Sequence, residues 1–176
     1  FGQWKVDQTG YGILAFITNN TYIDGITHRQ MRKSLRESFT DIYILDLHGS
    51  VIKKETTSDG KFDENVFDIQ QGVAISIFVK APHRSGPAKL NFAELWGTRS
   101  SKYASLMDED ISTTSWTQIK DSDVPAPLRV HNFFTPKAFS NFDDYYKGWG
   151  AKEIFIVSQN GVKTDRDELF YDFDSN

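Results

Sequence analysis

Between Tyr11 and Thr18 the chain is apolar at nearly every position, and the run is entered through Gly10 and Gly12. Such a run without polar alternation predicts a β-strand buried on both faces, as in a parallel sheet. Asn19, Asn20 and Thr21 end it, with side chains suited to bonding nearby backbone. From Thr27 to Phe39 the period changes. Met31, Leu35 and Phe39 recur every four residues while Arg29, Lys33, Arg36 and Glu37 fill the other faces, which predicts a helix with Thr27 as its N-cap. Ile42 to Leu47 is a second apolar strand. Strand, helix and strand in that order predict a right-handed crossover.

Gly49 to Asp63 is polar and reads as a loop, and Gly72 to Lys80 is a third strong strand. No helix-length segment separates the second strand from the third, so the two are expected to run antiparallel. Ala81 to Pro87 stops the third strand, and Leu90 to Trp96 is expected to add an edge strand. Beyond Arg99 the pattern weakens. Tyr103 to Asp110 predicts a short helix, Thr113 to Pro127 a connector, and Asn141 to Gly148 one or two helical turns. Glu153–Val157 and Leu169–Phe173 read as short strands around an Asn160-Gly161 turn.

Composition narrows the class. The 176 residues suit one domain, or one domain plus part of another. No apolar run approaches the ~20 residues of a membrane helix, so no membrane association is expected. There is no cysteine, which excludes a disulfide scaffold and thiolate chemistry and fits a cytoplasmic location. Phe1-Gly2-Gln3-Trp4 has neither a Met nor a signal pattern and reads as the middle of a longer chain. Charge is uneven: residues 1–103 hold 13 basic and 11 acidic side chains, residues 104–176 hold 7 and 13. A uniformly basic nucleic-acid footprint is therefore absent. The cluster Arg29, Arg32, Lys33 and Arg36 is expected to be a solvated face.

His28, His48, His83 and His131 are scattered without metal-ligand spacing and read as surface or loop residues. Asp41 and Asp46 lie at opposite ends of one strand and make no carboxylate pair. Neither Gly10-Tyr11-Gly12 nor Gly148-Trp149-Gly150 sits where a strand passes into a helix, so no phosphate-cradling loop is present. The chain carries no complete active site, and no metal site is expected.

Gly12 to Asn19, followed by Gly25 and Arg29-Gln30-Met31-Arg32-Lys33-Ser34-Leu35, resembles the segment after the catalytic motif of DNA adenine methyltransferases. Ile42–Gly49, Phe62–Ile69 and Gly72–Lys80 are similar to that family's next two strands. Glu153-Ile154-Phe155 and Gly161–Asp167 resemble the entry into its target-recognition region. The combination is similar to the large restriction-modification proteins of the type ISP and Eco57I-like kind. The implied fold is α/β: the C-terminal half of a Rossmann-like methyltransferase sheet, followed by a mixed α+β segment. Residues 1–103 would belong to the methyltransferase-like domain, 104–135 would connect, and 136–176 would begin the recognition region.

The resemblance implies a parent enzyme that binds double-stranded DNA, flips an adenine and methylates its exocyclic amine from S-adenosylmethionine. The family's Asn/Asp-Pro-Pro-Tyr/Phe motif and glycine-rich cofactor turn are both missing here, so this chain alone is expected to be inactive. Phe67 matches the family's aromatic that stacks on the flipped base; the alternative is a core aromatic beside Phe62 and Phe78. Asn19 and Asn20 lie at the carboxyl edge of the first strand, where open sheets place ligands, although capping the following loop explains them as well. Lys53, Lys54, Lys61, Arg84 and Lys89 are candidate phosphate contacts, and Arg166 belongs to a family marker with Thr164 and Asp167. Two other readings remain: a non-enzymatic DNA-binding or assembly module of α/β fold, and an unrelated nucleotide-utilising α/β enzyme. Oligomeric state is not written in the sequence.

Overall fold

The computed structural model describes residues 1–83, 86–139 and 142–148. They divide between two compact units, Phe1–Phe139 and Ser140–Asn176.

The first unit opens with a helix that the hydropathy pattern does not announce, α1 (Gly2–Thr9), in which only Val6 is buried. Gly10 closes it in the left-handed region, at φ 78°, a conformation that favours glycine. Then come β1 (Gly12–Asn19), two 3-10 turns at Asn20–Ile23 and Ile26–His28, α2 (Arg29–Ser38) and β2 (Asp41–Asp46). After a long loop follow β3 (Val73–Lys80), β4 (Lys89–Glu94), α3 (Arg99–Asp108) and β5 (Thr117–Ile119).

The strands form one mixed sheet in the order β1-β3-β2-β4-β5. β3 runs antiparallel to both β1 and β2. Ile75 sits opposite Ile17 on one side and Leu45 on the other. β1 and β2 therefore point the same way, as strand–helix–strand requires, with β3 inserted between them. This is the α/β arrangement expected of part of a Rossmann-like sheet.

Several local expectations change. β1 is not buried on both faces: it is the sheet's edge, with Ile13 70%, Phe16 52% and Ile17 46% exposed. An apolar run reports which surroundings suit a strand, not how many of them it has. β4 is not an edge strand. It runs parallel to β2 and antiparallel to β5, so it is internal. β5 comes from the stretch expected to be a connector, where three residues are too few to show a period. Thr27 does not cap α2, because a 3-10 turn runs through it and the helix starts at Arg29. α3 starts at Arg99 rather than Tyr103, capped by Thr98, whose side chain accepts a hydrogen bond from the Ser101 amide.

The larger core lies on the α2 face. Ile42 and Ile44 alternate inward from β2 and meet Leu35, Phe39, Phe78, Leu90 and Phe92. Each such side chain contributes about 1.5–3 kcal/mol when fully buried. On the opposite face Leu47, Val66 and Val73 pack with Leu106 of α3.

Arg32 contradicts the solvated-face reading, being fully buried. Its Nη1 donates to the carbonyls of Tyr22 and Gly25, both at 2.7 Å. Nη2 donates to His131 O at 2.6 Å and Nε to Asn132 O at 3.0 Å. The guanidinium thus ties the turn after β1 to a stretch a hundred residues later. Phe134, close by in sequence, is completely buried in the main core. Residues 104–135 are therefore packed into this unit.

In the second unit α4 (Phe142–Lys147) occupies the turns expected at 141–148. The strands expected at 153–157 and 169–173 lie outside the described residues, as does most of the expected recognition region.

Replacing Arg32 with Met keeps the bulk but leaves its carbonyl partners without a donor, at about 1–3 kcal/mol for each group that water cannot reach. Urea denaturation of Arg32→Met is expected to show a loss of about 2–4 kcal/mol. A loss below about 0.5 kcal/mol, the usual surface range, would show that the guanidinium is dispensable.

Candidate nucleic-acid interface

The loop from Leu47 to Gly72 leaves the carboxyl end of β2 and returns to β3. Its course is set by a close crossing: a Cβ on Gly49 would lie 2.4 Å from the Cα of Asn65, and Gly49 itself has φ 81°. Only glycine fits there. Asn65 is buried and anchors the return. Its Nδ2 donates to Gly49 O at 3.0 Å and Gln71 O at 2.7 Å, and its Oδ1 accepts from the Phe67 amide at 2.9 Å.

The first two turns of α3 grip the same segment. Lys102 and Asp63 form an ion pair at 2.7 Å, with both side chains fully buried. Lys102 Nζ also donates to Leu47 O at 2.8 Å and Glu64 O at 2.7 Å. The other oxygen of Asp63 accepts from the Gly97 amide at 2.6 Å. Tyr103 donates its hydroxyl to Val66 O at 2.6 Å. Arg99 Nε donates to Asn65 O at 2.8 Å, and Arg99 Nη2 to Phe67 O at 3.2 Å and Asp68 at 2.7 Å.

This brace decides where Phe67 points. Val66 turns inward and is 3% exposed, whereas Phe67 turns outward and is 43% exposed. Phe67 is therefore not in the core with Phe78. It borders a cleft of about 740 Å³ together with Phe62, Ile69, Arg99 and Tyr103. Three half-exposed aromatic rings around one open cleft form an apolar patch suited to a partner.

The other candidate residues are dispersed. Asn19 accepts from the Thr21 amide at 3.2 Å, capping the turn, and donates to Gln71 at 2.8 Å. Asn20 is buried and donates to Asp46 at 2.9 Å. Lys53 lies 3.9 Å from Glu55, and Lys61 pairs with Asp59 at 2.7 Å. Lys54 is exposed at φ 52°, and Lys89 is exposed at the start of β4. Arg84 and Arg166 lie outside the described residues. Of the expected residues that are described, Phe67 alone stands in the cleft. Arg99, Lys102 and Tyr103, which hold its loop, carry no local sequence signal beyond their place at the head of a helix.

A second cavity, of about 710 Å³, opens beside the ends of β2 and β4 and is acidic, lined by Asp24, Asp46, Glu55, Glu94 and Glu109 among others. His48, expected on the surface, is buried there, with Trp96 stacked on its ring at 3.5 Å. Its Nε2 lies 3.1 Å from Glu94, and Nδ1 lies 3.7 Å from both Asp46 and Glu55. Burial pushes the Asp46 carboxyl above its ordinary pKa, against the opposing pull of His48 and Asn20. Among the described residues no group of three or more His, Asp or Glu is placed to hold a metal ion. Five carboxylates line this cavity against two, Glu64 and Asp68, in the aromatic cleft, and carboxylates repel phosphate, so the aromatic cleft is the better match to nucleic acid.

Removing one partner of a buried ion pair costs about 3–5 kcal/mol. Lys102→Met is expected to destabilise the unit by that amount and to speed amide hydrogen exchange at 63–68. Lys61→Ala, at an exposed pair, is expected to change stability by less than about 0.5 kcal/mol. Equal effects of the two substitutions would overturn the assigned brace.

No protein-family model matches the chain, and no curated protein matches it. Solved structures do. The ATP-dependent Type ISP restriction-modification enzyme LlaBIII bound to DNA is 28% identical over 80% of this chain, with a TM-score of 0.60. A nuclease-deletion mutant of the Type ISP enzyme LlaGI, in complex with a DNA substrate mimic, is 25% identical over 77%, also at 0.60. DrdV in a cryo-EM complex with DNA is 26% identical over 73%, at 0.59. This chain spans 12% of DrdV, 9% of LlaBIII and 12% of LlaGI. The α/β sheet described here is thus similar to one segment of each of these much larger chains, two of which are Type ISP restriction-modification enzymes.

Proposed function

We propose that this chain is the part of a restriction-modification enzyme that supplies one aromatic wall for an adenine turned out of double-stranded DNA. The observation that carries the reading is the outward, braced presentation of Phe67 beside an open cleft, in a unit similar to segments of DNA-bound restriction-modification structures. An extruded base loses its stacking neighbours, and an aromatic face returns roughly 1–3 kcal/mol of that loss. Asn65 and Arg99 keep the Phe67 backbone fixed, so little ordering remains to be done when the base arrives.

The reaction of the parent protein would be methylation of the exocyclic amine of adenine, with S-adenosylmethionine supplying the methyl group. This chain holds neither the Pro-Pro motif nor a glycine-rich cofactor turn. Its own residues are accordingly assigned binding and orientation, not methyl transfer.

The test uses the longest native polypeptide that contains this chain. Phe67→Ala is expected to weaken binding or turnover on target DNA by about 1–3 kcal/mol, and Phe67→Tyr to restore most of the loss. Wild-type affinity and rate in Phe67→Ala would sink the stacking role. DNA binding without methyl transfer from labelled S-adenosylmethionine would place the chain in a non-enzymatic DNA-binding module.

A further inference from the structure

The backbone amide of Arg99 donates to Glu64 at 2.7 Å, and its side-chain contacts fall into two kinds. Two are backbone carbonyls, Asn65 O at 2.8 Å and Phe67 O at 3.2 Å, and they hold the guanidinium at the rim of the cleft. The third is the carboxylate of Asp68, at 2.7 Å, whose side chain is 92% exposed. Asp68 touches the guanidinium from the solvent side, directly after Phe67 in the chain. A pair this open contributes little to stability, because water and salt compete for both members. Its anion can be exchanged at small cost. A phosphodiester presents the same pattern of acceptor oxygens to a guanidinium as a carboxylate does.

We infer that Arg99 binds a backbone phosphate of DNA, and that Asp68 occupies the phosphate's position until DNA arrives. The inference rests on the proposed role of Phe67 and deepens it: ring and cation would take the base and the phosphate of neighbouring positions on one strand. Because Arg99 also bonds the Phe67 carbonyl, the phosphate contact and the aromatic wall are fixed in one frame. Asp68 then sets a threshold, since an anion must outcompete it before the cleft closes on nucleic acid.

The experiment is a salt titration of affinity, by fluorescence anisotropy, on a labelled duplex carrying one mismatched adenine, again with the longest native polypeptide containing this chain. Each phosphate contact contributes about 0.9 to the slope of log affinity against log salt. Arg99→Ala is expected to reduce that slope by about one, and Arg99→Lys to preserve it. Asp68→Asn, which leaves the carbonyl contacts of Arg99 in place, is expected to tighten binding about two- to fivefold at low salt. Phe67→Ala should weaken binding with the slope unchanged. An unchanged slope in Arg99→Ala, or unchanged affinity in Asp68→Asn, would overturn the phosphate assignment while leaving the stacking role standing. If Arg99→Ala fails to fold, Asp68→Asn decides the matter alone. Absence of DNA binding by the unsubstituted protein would remove both readings together.

Discussion

The ammonium of Lys102 is the point at which the structure is tied. It takes the carboxylate of Asp63 and the carbonyls of Leu47 and Glu64 within 2.8 Å, with no exposure to water. A buried cation is tolerated only when its donors are all used, because its desolvation costs several kcal/mol. Lys102 meets that condition with three acceptors drawn from the exit of β2 and from the returning loop. α3 cannot leave its place without stranding a charge, and the loop cannot rearrange without losing its donor. The position of Phe67 follows from this, since Val66 and Asn65 are pinned on either side of the same knot.

Charge is sorted around the carboxyl ends of the strands in a way that complements the aromatic cleft. Five carboxylates line the cavity around His48, whereas the cleft of Phe67 sets Arg99 beside two, Glu64 and Asp68. The low net charge of the whole chain conceals this division. A polyanion approaching this end of the sheet meets a repulsive neighbour on one side and an aromatic surface with a guanidinium on the other, which narrows the orientations in which it can dock.

Much of the sheet was legible because periodicity is a local property. β2 and β3 are both short, mostly apolar runs, and the missing helix between them announces an antiparallel pair. The segments that carry no period were not legible. α1 buries a single residue, and β5 is three residues long. The harder failure concerns charged residues. Arg32 and Lys102 look like surface side chains in any hydropathy reading, yet both are buried because distant carbonyls and a carboxylate satisfy them. His48 escaped for a similar reason, since Trp96 and Glu94 reach it only in the fold. Phe67 was singled out through resemblance alone. Its brace was not, because Arg99 and Tyr103 meet the loop across more than thirty residues of chain.

β1 has a further meaning for how this unit behaves outside its native surroundings. Ile13 and Ile17 point to one face, Phe16 to the other, and all three are bare along an edge whose backbone can accept another strand. Natural edge strands are usually protected by inward lysines, prolines or bulges, and Gly12–Asn19 has no charged residue and no proline. Left uncovered, this edge is a template for amyloid-like stacking of one copy on the next. The boundary of any soluble form of this protein is therefore set by what shields β1.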